Sequence, residues 1–345
     1  MRHFFLDQAR LHPSMQPQDA LKMAYQAAFG AEHLAGDPLG VRSMLQDELS
    51  RCPAAPFLPL TESIAPDICR VNLAAWKHAA LPADWLAALF LQSCVPLPDG
   101  PARMEKALGC LDQLAASGSL PFSAADWQRK KQAYLAGGIR PLHHSDRYRQ
   151  AEAPAYRVLT ARFARPISLM ACLDSGVPVQ IIALDGRCAS GKTTLAADFA
   201  EAAGASVIHT DDFFLPREMR TPERLNTPGG NVHYERLLTD VLPRLREGRD
   251  FSYSRFDCSR MALGEMRQVP AARLYIVEGA YSCHPALGDY MSLRAFSDVS
   301  PREQQRRILL RNGEEGWQQF RARWIPLEEA YFSAYGIREK AKVIL

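Results

Sequence analysis

Residues 184–195 read LDGRCASGKTTL and follow the apolar run VPVQIIA. Gly186-Arg187-Cys188-Ala189-Ser190-Gly191-Lys192-Thr193 fits the spacing G-x-x-x-x-G-K-[ST] at every fixed position. The apolar run predicts a buried strand, and the residues after the loop predict a helix from about Lys192 to Ala203, closed by Gly204. Strand, glycine-bounded loop and helix in that order form a cradle for an anion. The glycines let the backbone curl so that several N–H groups point at one place. The helix adds the positive end of its dipole. A chance glycine turn is the competing account, and the flanking elements argue against it. Cys188 reads as an incidental small residue in the loop.

The anion expected here is a nucleotide phosphate. Lys192 can reach the β- and γ-phosphates, and the Thr193 hydroxyl can ligate Mg²⁺. ATP and Mg²⁺ are therefore the expected cofactors. The nucleotide contacts are expected from Gly186, Ala189, Ser190, Gly191, Lys192, Thr193 and Thr194.

The strand-and-helix pattern extends over the second half of the chain. Short apolar runs recur in VPVQIIALDG, ASVIHTDD, RLYIVEGAYS, LRAFSDVS and KAKVIL, with helical patterns between them. Parallel strands covered on both faces by helices look like this. The first half reads as helices. Leu21, Tyr25, Ala28 and Phe29 form one stripe, Val41, Met44, Leu45 and Leu49 another, and Met104, Ala107, Leu108, Leu111 and Leu114 a third. Ser123 is a plausible cap for a helix that stops at Gly137-Gly138. No strand is read before about residue 155. The expected architecture is α/β: a parallel sheet flanked by helices over residues 178–345, a linking helix over 158–177, and a mainly α-helical domain over 1–157.

Bulk properties remove several alternatives. The 345 residues carry a formal net charge of +3, which gives no general case for nucleic acid or an anionic membrane. The longest apolar stretch, residues 83–97, is too short and interrupted to span a bilayer. The first residues show no uninterrupted apolar segment with a small-residue cleavage site. None of the eight cysteines forms a CxxC pair, so no zinc site is expected. Reduced thiols and a cytoplasmic location are the expectation.

Two carboxylate positions separate phosphoryl transfer from other uses of a nucleotide. VIHTDDFFLP places Asp211 and Asp212 at the C-terminal end of a strand, the edge where an open parallel sheet binds ligands. A carboxylate there can accept a proton from a substrate hydroxyl. Aspartates also favour helix N-caps, which is the competing account. LYIVEGAYS sets Glu278 at a second strand end, suited to holding a water of the Mg²⁺ shell. PREQQRRILLRNG carries Arg302, Arg306, Arg307 and Arg311, which could screen phosphate charge or form a solvated helix face. Arg306 and Arg311 are the two expected at the phosphates.

On these motifs residues 178–345 resemble the uridine kinase, phosphoribulokinase and nicotinamide riboside kinase group of P-loop kinases. The shared order is GRCASGKTT, DDFF, YSRFDCSR, VEGAYS, RRILLRNG, WIPLEEAYF and a final strand. DDFFLP looks most like the nicotinamide riboside kinases. The resemblance implies that Asp211 is the general base, that Thr193 and Glu278 serve Mg²⁺, and that Arg306 and Arg311 belong to a lid. The chain departs from uridine kinases at two places. Cys258 stands where they carry a base-reading histidine, while Tyr253 and Arg260 are kept. Pro228-Gly229-Gly230 stands where they carry a ribose-gripping aspartate. The substrate-pocket candidates are Asp212, Asn231, His233, Tyr253, Asp257, Cys258 and Arg260.

The expectation is an ATP- and Mg²⁺-dependent kinase acting on a hydroxyl of a nucleoside-like or other small metabolite. Nicotinamide riboside or a non-nucleoside polyol is the alternative within that class. From another class, a nucleotide-driven switch with a protein-binding helical domain stays open, as do the acceptor and a homo-oligomeric state. In the first half, FGAEHL with Glu32 and His33, and PLHHSDRYRQAEAPAYRV with His143, His144, Tyr148, Arg149, Tyr156 and Arg157, are rich in polar and aromatic groups. The second stretch could bind an anion or cap a site, but a solvated connector is the preferred reading. Ile68, Val71 and Trp76 read as core, and Arg70 and Asn72 as surface.

Overall fold

A computed structural model describes residues 1–31, 37–174 and 176–345. Glu32 and His33 lie outside the described residues. The chain divides into two compact units, Met1–Ala164 and Arg165–Leu345. The division falls inside the segment expected to be a linking helix.

In the N-terminal unit, helices α1 (Arg2–Leu11), α2 (Pro17–Phe29), α3 (Pro38–Arg51), α4 (Leu73–His78), α5 (Ala83–Ser93), α6 (Gly100–Ala116), α7 (Ala124–Ala136) and α8 (Asp146–Glu152) accompany a three-stranded antiparallel sheet. The expected helical stripes are buried apart from Met44, which is 37% exposed, and the half-buried Phe29. Ser123 caps α7 by accepting from the Asp126 N–H.

The sheet corrects the sequence reading. β1 (Thr61–Ala65) and β2 (Ile68–Asn72) lie well before residue 155, and β2 pairs on its other side with β3 (Tyr156–Thr160). Ile68, Cys69, Arg70 and Val71 are all buried, so β2 lacks the in–out alternation that marks a half-exposed strand. Arg70 is buried rather than on the surface, and Asn72 caps α4 through the N–H groups of Ala74 and Ala75. Residues 141–158 are likewise no solvated connector. His144 and Tyr148 are buried and stack at 4.3 Å, and the segment forms α8 and most of β3.

After α9 (Ala164–Met170) the C-terminal unit is built on five parallel strands in the order β10-β9-β4-β8-β5. These are β4 (Gln180–Gly186), β5 (Ser206–His209), β8 (Leu274–Glu278), β9 (Leu293–Ser297) and β10 (Val343–Ile344). They coincide with the five apolar runs read from the sequence. Every residue of β4 and β8 is buried, as strands covered on both faces require. α10 (Lys192–Ala203) follows β4 and ends at Gly204 in the left-handed conformation. α11 (Pro222–Asn226) and α12 (Tyr234–Arg236) are short, and β6 (Phe251–Asp257) and β7 (Ala262–Val269) form a separate antiparallel ribbon. α13 (Pro301–Gln319) is interrupted at Gly313, whose φ is +68°, and α14 (Ile325–Tyr335) precedes the last strand. No helix among the described residues is long and apolar enough to cross a membrane.

Candidate active site

The C-terminal ends of β4, β5 and β8 open onto a cleft of about 460 Å³. The loop after β4 supplies its floor. Gly186 must be glycine: at φ +137°, an added Cβ would lie 2.1 Å from the Ser297 carbonyl oxygen. Ala189 (φ +57°) and Gly191 (φ +90°) complete the curl. The first-turn N–H groups of α10, at Lys192, Thr193 and Thr194, have no intrahelical acceptor, so they are free to meet an anion. The Lys192 ammonium is buried and donates to the carbonyls of Gly186 and Arg187, each at 2.8 Å. A phosphate oxygen is a better acceptor for it than a neutral carbonyl.

The back of the loop is pinned. Arg165 donates to the Ser190 carbonyl at 2.8 Å and to the Ser297 hydroxyl at 2.5 Å, and the Ser297 hydroxyl donates to Ser190 Oγ at 2.7 Å. The Ser190 side chain is therefore structural. Asp185, fully buried, accepts from the N–H groups of Gly186, Tyr281 and Cys283 and from the Tyr331 hydroxyl, at 2.7 to 3.2 Å. One carboxylate thus ties the phosphate loop to the turn after β8 and to α14. Burial pushes its pKa up, and the donors oppose that.

Glu278 sits at the end of β8, buried. It accepts from the Thr193 hydroxyl at 3.1 Å and lies 2.5 Å from His209 Nδ1. Two hard oxygen donors side by side, next to free loop N–H groups, fit a Mg²⁺ carried by nucleotide phosphates. Asp211 follows β5, is exposed, and lines the same cleft. The protein packed around it and the Glu278 carboxylate push its pKa up, with Lys192 opposing, in the direction a general base needs.

Asp212 does different work. It is 3% exposed and accepts from the Tyr253 hydroxyl at 2.8 Å. Arg255 and Arg267 reach it at 3.2 and 2.9 Å. It anchors the segment after β5 to the β6–β7 ribbon and does not line the cleft. Of the other substrate-pocket candidates only Asn231 lines it. His233 donates its backbone N–H to the Phe213 carbonyl. Tyr253 is engaged by Asp212. Cys258 and Arg260 are exposed at the ribbon's turn, which Asp257 holds by accepting from the N–H groups of Ser259 and Arg260. These five candidates are not among the cleft-lining residues.

The arginines sort in the same way. Arg311 lines the cleft as expected, but Arg306 does not. Arg306 is exposed and paired through both nitrogens with Glu303. Arg307 takes the place expected of it, lining the cleft and donating to the Ala189 carbonyl at 3.1 Å.

Several cleft residues had no role assigned from sequence: Phe214, Tyr281, Phe320, Trp324 and Glu328. Phe214 and Trp324 approach to 6.2 Å between ring centroids. Glu328 is buried and accepts from the Cys188 N–H at 2.8 Å; burial pushes its pKa up to about 7, with Lys192 opposing. The Tyr281 hydroxyl lies beside the Asn231 amide without a well-formed hydrogen bond between them. That hydroxyl and both amide atoms are thus buried without a partner of good geometry. Orphan polar atoms in a cleft are groups that a ligand can satisfy.

No protein-family model and no curated protein matches the chain. Among solved structures it is similar to "a Possible Uridine Kinase from Bacillus stearothermophilus", at 17% identity and a TM-score of 0.43 over 53% of this chain and 97% of that one. It is also similar to a "putative fructose transport system kinase from Silicibacter sp. TM1040", at 20% identity and a TM-score of 0.43 over 53% and 98%.

Proposed function

We propose that the C-terminal unit transfers a phosphoryl group from ATP to a hydroxyl of a small metabolite. The observation that carries this reading is the meeting of Asp211, the Thr193–Glu278 pair and the phosphate loop in one cleft. A nucleotide-binding loop alone serves switches and motors as well. A carboxylate aimed into the same space, with its pKa raised, is what an acceptor hydroxyl requires.

ATP and Mg²⁺, when bound, supply the transferable phosphoryl group and shield its charge. Lys192, the N–H groups of Lys192 to Thr194, and the Thr193 and Glu278 oxygens would hold them. Asp211 accepts the proton of the acceptor hydroxyl. Asn231 and Tyr281 bring an amide and a phenol to the same cleft. Arg307 and Arg311 bring positive charge to the loop side of the cleft. Phe214, Phe320 and Trp324 give it an apolar wall that excludes water.

The acceptor is a nucleoside-like molecule or another small alcohol. The test is ADP release by the full chain with ATP and Mg²⁺, with uridine, cytidine, nicotinamide riboside and a set of sugar and polyol alcohols compared side by side. Release that depends on one acceptor, with that acceptor recovered phosphorylated, supports the reading. An ADP release rate that no acceptor changes overturns it in favour of a nucleotide switch.

A further inference from the structure

The N-terminal unit has a cavity of its own, of about 390 Å³. Lys22 on α2, His143 and His144 before α8, and Tyr156 and Arg157 on β3 form its polar wall. Tyr25, Leu142 and Pro154 are among the apolar lining. No aspartate or glutamate lines it.

Two cations, Lys22 and Arg157, line this cavity, and a third, Arg70, stacks on its Tyr156 ring. The Lys22 ammonium donates to the Leu142 carbonyl at 2.8 Å and makes no ion pair among the described residues. Arg70, 3% exposed, stacks on the Tyr156 ring at 4.4 Å. Its nitrogens donate to the amide oxygens of Gln26 and Gln8 at 2.8 to 3.2 Å, not to a carboxylate. Arg157 pairs with Glu48, and its Nε is buried without an acceptor. The acid that acts on Lys22, Asp19, is fully occupied. It accepts from the Gln16 and Ser145 N–H groups, the Ser145 hydroxyl and His144 Nδ1, all at 2.7 to 2.9 Å. It staples α2 to α8 and has no lone pair to spare for Lys22. Burial, Arg70 and Arg157 together push the Lys22 pKa down to about 8, with Asp19 opposing. A half-buried ammonium whose one acceptor is a neutral carbonyl is poorly compensated, and an incoming anion would be a better partner.

Part of the same wall is neutral. His144 Nε2 lies 2.5 Å from the Tyr156 hydroxyl. Burial pushes the imidazole pKa down to about 4. With Asp19 taking the Nδ1 proton, Nε2 accepts from the phenol, which fixes the ring as a flat surface.

We propose that this cavity binds a small anionic metabolite, with its carboxylate or phosphate facing Lys22 and Arg157 and its body against Tyr25 and Tyr156. The site is separate from the phosphate-loop cleft and stands whether or not that cleft is a kinase site.

The test reads Lys22 directly in the full chain. Limiting acetic anhydride at pH 7.5 acetylates neutral amines, and mass spectrometry reports each lysine. Phenyl phosphate and benzoate are the anionic probes, and benzamide is the neutral control. At millimolar concentration at least one anion should lower Lys22 labelling threefold or more, with the exposed Lys106 unchanged and benzamide without effect. Which anion protects decides between phosphate and carboxylate chemistry. Arg157→Gln should abolish the protection, and Arg157→Lys, which keeps the charge, should retain most of it. Failure of both anions to protect, or equal protection by benzamide, overturns the proposal. So does protection that survives Arg157→Gln in a protein with an unchanged circular dichroism spectrum.

Discussion

The two cavities are assembled by opposite means. The cleft of the C-terminal unit takes a third of its lining from one short stretch between Cys188 and Thr194, whose backbone N–H groups at a helix start form its anion cradle. The cavity of the N-terminal unit is made of side chains brought from far apart. Lys22 meets Leu142 across 120 residues, and Asp19 meets His144 across 125. A backbone cradle needs glycines at fixed spacing and is largely insensitive to what packs behind it. A side-chain cluster depends on every element that carries a member. Damage to the first kind of site should therefore remove activity and spare the fold, whereas damage to networks of the second kind should cost stability as well.

The largest expected effect is at Lys192. Lys192→Ala should lower phosphoryl transfer by about 10³-fold or more, in the upper range for losing one preorganised donor to developing charge. The far-ultraviolet circular dichroism and the melting temperature should stay close to those of the parent chain, because the ammonium meets only loop carbonyls. A variant that unfolds would break the contrast between the two kinds of site. A folded variant with full turnover would remove the phosphate loop from the reaction.

Next come the two adjacent aspartates, which place both kinds of site side by side. Asp211→Asn should cut turnover by about 10²-fold, the loss expected of a general base, at nearly unchanged stability. Asp212→Asn should instead lower stability by about 1–3 kcal/mol, because Tyr253, Arg255 and Arg267 lose a charged acceptor at a buried position. Steady-state kinetics and thermal melts on both variants read the split. If Asp212→Asn proves the more damaging to turnover in a folded protein, the two roles are exchanged.

A smaller effect separates the arginines of α13. Arg307→Gln should slow turnover about tenfold, within the range for one charge-assisted hydrogen bond. Arg306→Gln should change it by less than about twofold, since an exposed ion pair with Glu303 contributes little. Equal losses from both variants would mean that α13 approaches the cleft through a different face.

These contrasts also show what can be read along a chain. The five parallel strands of the C-terminal unit, the phosphate loop and the helix after it stand where their apolar runs and glycines put them, because each is specified within about a dozen neighbouring residues. β1 and β2 are not legible in that way. Cys69 and Arg70 take core positions in β2, and only the Gln8 and Gln26 amides, from α1 and α2, make a buried guanidinium tolerable there. The pair Asp211-Asp212 shows two carboxylates at a strand end, but which one faces the ligand depends on the ribbon that captures the other. The spacing of the arginines carries one further signal. Arg307 and Arg311 are four residues apart and share a helix face, whereas Arg306 and Arg311 are five apart and do not. Trp324 and Glu328 carry no such mark, since their place in the cleft follows from where α14 returns to the loop.

The last effect, and the one that reads charge rather than chemistry, is at Glu328. Its carboxyl is buried and its pKa is raised from 4.5 to about 7. In the unfolded chain the group titrates near 4.5, so between pH 4.5 and 7 the folded state holds the proton more tightly than the unfolded state does. Stability contributed by the neutral group is therefore lost as pH rises through this window, and above pH 7 the folded protein carries a buried carboxylate. The gap between the two pKa values corresponds to at most about 3 kcal/mol. Glu328→Gln removes the charge, and its amide oxygen can still accept from the Cys188 N–H. The variant should melt a few degrees above the parent at pH 8. The difference should shrink as the pH is lowered to 5, while turnover changes by less than about threefold. A difference in melting temperature that is flat from pH 5 to 8 would mean that the carboxyl titrates normally and that Lys192 compensates it in full. A difference that grows toward pH 5 would reverse the sign of the argument and assign the carboxylate, not the acid, as the form the loop prefers.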